Sequence, residues 1–130
     1  MTASPARLML VEDDVLVALE LTARLGQMGY LVVAHATTAP EALDCVRDTA
    51  PDLVLMDIRL GQGLDGVDAA ETIAHRFNVP VVFMTAHSDD ATRRRAEEAR
   101  PLGYVVKPVR DRDLRSAIDA ALSKRRSTIG

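Results

Sequence analysis

Two kinds of hydrophobic spacing alternate along the chain. Short apolar runs stand at Leu8–Val11, Leu31–Ala36, Leu53–Met56, Val81–Met84 and Tyr104–Val106. They are rich in Val and Leu without strict alternation, the pattern of strands buried on both faces of a parallel sheet. Between them the apolar positions recur at helical spacing. The last segment is the clearest: Leu114, Ala117, Ile118, Ala121 and Leu122 form one stripe, with Arg and Asp on the other face. Thr38-Ala39-Pro40-Glu41 matches a capping box with an early proline, and Gly29 after Met28 is a helix stop. Five strands alternating with five helices predict a doubly wound α/β fold with a parallel sheet in the order 2-1-3-4-5. No internal repeat or linker interrupts the pattern. The expectation is one domain over residues 1–130, with a core from about 6 to 124 and a loose tail at 125–130.

The strand map gives the polar residues a common address. The first run ends on Glu12-Asp13, the third on Asp57, the fourth on Thr85 and the fifth on Lys107. All carboxyl ends of a parallel sheet lie on one edge, so these five side chains converge where open α/β sheets bind ligands. Each residue alone has a plainer reading. Asp13 or Asp14 caps the first helix, Thr85 starts the fourth, and Lys107 is a solvated charge. For Asp14 the capping role is preferred. For the other five, chance placement at successive strand ends is the weaker account.

Charge makes the cluster more specific. Two carboxylates about 4 Å apart repel by about 4 kcal/mol at an effective dielectric near 20. Three would consume much of a domain stability of roughly 5–15 kcal/mol unless a cation sits among them. The donors are hard oxygens without His or Cys, which suits Mg²⁺ (or Mn²⁺) and not zinc. A metal, a lysine and a hydroxyl around one carboxylate form a site for a phosphoryl group carried on that carboxylate. A bound nucleotide fits less well, because the turn after the first run is acidic "VEDDV" and has no glycine-rich loop.

Composition narrows the partners. The 130-residue chain has a formal charge of −3, too mild to imply nucleic acid or an anionic membrane. Cys45 is its one cysteine, which fits a reducing compartment. No segment approaches the roughly 18 apolar residues of a spanning helix, so a cytoplasmic protein is expected. Lysine occurs only at 107 and 124, so Lys107 does not come from a Lys-rich background.

The motifs "LMLVEDD", "DLVLMDIRL", "LDG", "VVFMTAH" and "GYVVKP", in this order and spacing, resemble the receiver domain of bacterial two-component response regulators, from about Ala6 to Lys124. The resemblance implies that Asp57 is the phosphoacceptor. Glu12 and Asp13 would be the acid pair for Mg²⁺, with Asp13 the more direct ligand and the Arg59 backbone carbonyl completing the set. Thr85 and Tyr104 would be the switch pair, Lys107 would contact the phosphoryl group, and the Lys107-Pro108 bond would be cis. Phosphorylation would bias the surface of the fourth helix, fifth strand and fifth helix. The segment "DDATRRRAEEAR" supplies that fourth helix, polar nearly all round and weakly anchored.

Some positions depart from the common pattern. The loop "RLGQGLDG" is a residue longer than usual, with Gly61 and Gly63 in place of a proline. Arg59 and His87 stand two residues beyond Asp57 and Thr85, where the family modulates the attacking water. His35 and His75 read as structural, and Val109 as a packing change. The pattern ends just after the fifth helix, so a stand-alone receiver without an output domain or DNA binding is expected. It would be a phosphoacceptor and not a turnover enzyme. Its donor would be a sensor histidine kinase or a histidine phosphotransfer protein, and it would be a monomer or a weak phosphorylation-dependent dimer. Two rivals are a phosphorylation-independent receiver-like binding module and an aspartyl-phosphate hydrolase. The intact acidic set argues against the first. Arg59, where such hydrolases carry a second aspartate, argues against the other.

Overall fold

The computed structural model describes residues 4–58, 65–85, 94 and 101–129. Its elements are β1 (Arg7–Val11), α1 (Val15–Gln27), β2 (Leu31–Ala36), α2 (Ala39–Thr49), β3 (Leu53–Asp57), α3 (Asp65–Arg76), β4 (Val81–Thr85), β5 (Gly103–Val106) and α4 (Asp111–Ile129). The strands form one parallel sheet in the order β2-β1-β3-β4-β5, as the alternation predicts. Four of the five expected helices are described. The other, expected between β4 and β5, falls outside the described residues except for Arg94, which is helical; α4 is the fifth helix of the predicted pattern. Among the described residues no helix is long and apolar enough to cross a membrane.

Successive strand residues point to opposite faces, so each unalternating run feeds two cores. Met9, Val11, Val54, Met56, Val81 and Phe83 pack against Ala42 and Val46 of α2 and Val67, Ala70 and Ile73 of α3. Leu8, Leu10, Leu53, Leu55, Val82 and Met84 meet Leu21 and Leu25 of α1 and Leu114, Ile118 and Ala121 of α4. Each of these large side chains contributes roughly 1.5–3 kcal/mol on burial, which fixes the sheet between its two helical layers.

Local chemistry sets the helix ends. Asp14 caps α1, its Oδ1 accepting from Leu16 N at 3.0 Å and Val17 N at 3.3 Å. Gly29, at φ 99°, turns the chain into β2. Thr38 Oγ1 accepts from Glu41 N at 3.2 Å, while Glu41 Oε1 accepts from Thr37 N at 2.8 Å. The reciprocal bond of the capping box therefore reaches one residue further back than Thr38. Residues 125–129, expected as a loose tail, instead continue α4. Lys and Arg are good helix formers, and no Gly or Pro intervenes before Gly130.

Candidate functional site

Asp57 and Thr85 are the last residues of β3 and β4, and Glu12 and Lys107 directly follow β1 and β5. Main-chain bonds continue beyond the strands and hold these exits in place. Glu12 N donates to Ala36 O at 3.0 Å, Ile58 N to Met84 O at 3.1 Å, and Lys107 N to Thr85 O at 2.8 Å. Glu12, Asp57 and Thr85 are buried, at 2%, 8% and 3% exposure, whereas Asp13 is exposed.

The side chains meet as the strand ends suggest. Lys107 Nζ donates to Asp57 Oδ2 at 2.7 Å and lies 3.9 Å from Glu12 Oε1. One carboxylate oxygen from each of Glu12, Asp13 and Asp57 lies within 4.8 Å of the others. Burial pushes the Glu12 carboxyl up to about 7. The Asp14 N–H, at 3.2 Å from Oε2, opposes this, while the neighbouring Asp57 and Asp13 add to it. Burial disfavours the Lys107 ammonium, but the hydrogen bond and charge of Asp57, then Glu12 and Asp13, outweigh it and raise its pKa. The ammonium therefore stays charged.

One lysine does not neutralise three carboxylates. Glu12 Oε1 is buried and, among the described residues, accepts no hydrogen bond. A buried carboxylate oxygen facing two further hard oxygens fits a divalent cation of the Mg²⁺ class. Glu12, Asp13 and Asp57 would hold it. Arg59, whose carbonyl the family resemblance adds to this set, lies outside the described residues, as do His87, Gly61 and Gly63.

The other expected residues have definite places. Tyr104 pairs with Phe83 across β4 and β5, partly buried, with ring centroids 6.2 Å apart. The Lys107-Pro108 peptide is cis. His75 is exposed on α3. Asp14 serves as the cap and is absent from the metal-compatible trio.

Three residues support the site through contacts that the sequence does not show. A Cβ on Gly66 would stand 2.7 Å from the Ile58 carbonyl and 2.9 Å from that of Asp57. Glycine thus lets α3 approach the backbone that carries Asp57. The motif "LDG" marked this position but not its reason. Arg24 reaches from α1 to the loop after β5, donating from Nη1 to Val109 O at 2.7 Å and pairing through Nε with Asp111 Oδ1 at 3.2 Å. It also pairs with Glu20 on its own helix. The ring of His35, on β2, is 2.8 Å from the Glu12 carbonyl. Neither long-range contact has a signal in local sequence.

Beside the site, Leu16, Val17, Leu21, Met84, Pro108 and Val109 line an apolar groove of about 380 Å³ that Lys107 borders. Its α1 rim carries unusual apolar exposure, 78% at Leu16, with Val15 and Leu19 also exposed.

A family model described as the response regulator receiver domain matches residues 8–119. The transcriptional regulatory protein PdtaR of Mycobacterium tuberculosis is 37% identical over 122 residues, covering 94% of this chain and 59% of that protein. The positive alginate biosynthesis regulatory protein of Pseudomonas aeruginosa is 42% identical over 116 residues, covering 86% of this chain and 46% of that protein. The chain spans about half the length of these curated relatives. Among solved structures, the signal receiver domain of a modulated diguanylate cyclase from Desulfovibrio desulfuricans is similar with a TM-score of 0.88 and 35% identity. That match covers 95% of this chain and 98% of the other.

Proposed function

The chain belongs to the response regulator receiver family, and we propose that Asp57 is its phosphoacceptor in a two-component or phosphorelay pathway. The observation that carries this is the 2.7 Å bond from Lys107 Nζ to a buried strand-end carboxylate with two further acids beside it. A phosphohistidine on a sensor histidine kinase or phosphotransfer protein presents its phosphoryl group to Asp57. The carboxylate oxygen forms the new P–O bond as the P–N bond breaks, and the electron pair returns to the imidazole nitrogen, which takes up a proton. The Lys107 ammonium stabilises charge on the transferring oxygens. Mg²⁺ held by Glu12, Asp13 and Asp57 would supply the same electrostatic neutralisation.

Water later attacks the acyl phosphate, regenerating the Asp57 carboxylate and releasing phosphate, so the signal limits itself. The protein assists its own phosphorylation without being a turnover enzyme. Thr85, at the tip of β4, turns toward a phosphoryl oxygen. Tyr104, on the adjacent strand, transmits that movement to the surface formed by β5 and α4. The output passes through whatever reads this surface. The apolar groove between α1 and the Pro108–Val109 turn supports docking of the donor, because Lys107, bonded to Asp57, borders it.

Acetyl phosphate or a phosphoramidate with Mg²⁺ should add one phosphoryl group, detected by intact mass. Asp57→Asn should remove the adduct. A wild-type protein that gains no Mg²⁺-dependent adduct would instead be a phosphorylation-independent binding module.

A further inference from the structure

We propose that His35 is a positioning residue for the acidic pair, holding the Glu12 carbonyl so that Glu12 and Asp13 present their carboxylates together. This rests on the metal reading above and concerns a residue outside the trio itself.

The placement of His35 begins with an irregularity in the sheet. Along β1 and β2, Leu8 pairs with Val32 but Met9 pairs with Ala34, leaving Val33 as an extra residue. Strand alternation would put residues 32, 34 and 36 on one face. The bulge breaks that alternation. Val32 packs with the α1 and α4 layer, whereas Ala34 and Ala36 pack with the α2 and α3 layer. His35 thus stands on the face opposite Ala34 and Ala36, re-aimed as bulges beside functional sites re-aim side chains. Its partner in register is Leu10, two residues before Glu12.

Backbone accounting explains why the ring is needed there. Glu12 N–H still joins the ladder, donating to Ala36 O at 3.0 Å. The Glu12 carbonyl lies past the end of β2, and among the described residues no backbone N–H is given to it. The His35 ring nitrogen Nε2, at 2.8 Å, takes the place of a strand donor. A carbonyl only accepts, so Nε2 carries the hydrogen. Glu12 is then held through both of its backbone groups, the N–H by β2 and the C=O by the ring. That fixes the Glu12 Cα–Cβ direction and the peptide plane that leads into Asp13. Asp14 N, bonded to Glu12 Oε2 at 3.2 Å, completes the same turn.

The test is Mg²⁺ binding to the full chain by calorimetry, paired with melting in EDTA. His35→Ala should weaken Mg²⁺ binding about tenfold, as loss of an orienting partner does at metal sites. His35→Gln carries an amide N–H at about the reach of Nε2 and should remain within about twofold of wild type. His35→Asn is too short and should behave like the alanine variant. A purely structural histidine would lower the EDTA melting temperature and leave Mg²⁺ affinity alone. Ala and Asn variants with wild-type affinity, or a Gln variant as weak as Ala, overturn the inference while the metal reading stands. A wild-type chain that binds no Mg²⁺ overturns both. If His35→Ala fails to fold, the Asn and Gln pair decides.

Discussion

Raising the pH from about 5 to about 8 without divalent metal should destabilise this protein, and the cause is Glu12. The residue is 2% exposed. Burial, with Asp57 and Asp13 nearby, carries its carboxyl from an ordinary 4.5 to about 7, against the Asp14 N–H and the Lys107 charge. The folded chain therefore holds this proton more tightly than the unfolded chain. The associated stability is fully present below 4.5 and is lost as the pH rises through about 7. At about 1.4 kcal/mol per pH unit, that interval corresponds to about 3 kcal/mol, a large part of a domain stability of roughly 5–15 kcal/mol. Lys107 does not contribute in this window, because its pKa is raised further above 10.5. The assay is denaturant unfolding in EDTA across the range, comparing wild type with Glu12→Gln. The neutral amide has no proton to lose, so the variant should gain on wild type by about 3 kcal/mol toward the alkaline end. Millimolar Mg²⁺ should remove most of the difference, since a cation favours the ionised carboxylate. A difference that stays constant across the range would refute the assignment of Glu12 as the titrating group.

Other perturbations address the support around the site. Gly66→Ala, with its new Cβ 2.7 Å and 2.9 Å from two backbone carbonyls, should cost about 1–3 kcal/mol in denaturant unfolding and slow adduct formation at Asp57. Arg24→Ala releases the Val109 carbonyl and Asp111. It should cost about 1 kcal/mol and slow phosphorylation by acetyl phosphate; Arg24→Lys should not restore the rate, lacking the guanidinium fork. Leu16→Ser should change stability by less than about 0.5 kcal/mol, because Leu16 is largely exposed. It should slow transfer from a phosphohistidine protein while leaving the acetyl phosphate rate unchanged, which competition of the two donors on one sample would read.

The fold and the trio were legible because each rests on a local signal. Doubly buried strands need unbroken apolar runs, and a parallel sheet brings every run's end to one edge. Asp57, Thr85, Glu12 and Lys107 could therefore be grouped before any distance was known. Asp14 was separable from Asp13 because a cap has its own position ahead of the first helical turn. Residues 125–129 continue α4 where a loose tail is expected, because a polar stretch near a terminus reads alike in a tail and in a helical turn.

By itself, then, the sequence determined the strand order and which chemical groups share an edge, since periodicity and handedness leave few ways to stack five βα units. Tertiary structure alone decided what supports those groups. His35 reaches Glu12 across 23 positions and Arg24 reaches Val109 across 85, contacts that depend on a bulge and on helix placement. Gly66 reads as an ordinary loop glycine until α3 is laid against β3, and the carbonyls of Ile58 and Asp57 leave no room for a Cβ. Such constraints come from packing between segments distant in sequence, and local propensity carries no record of them.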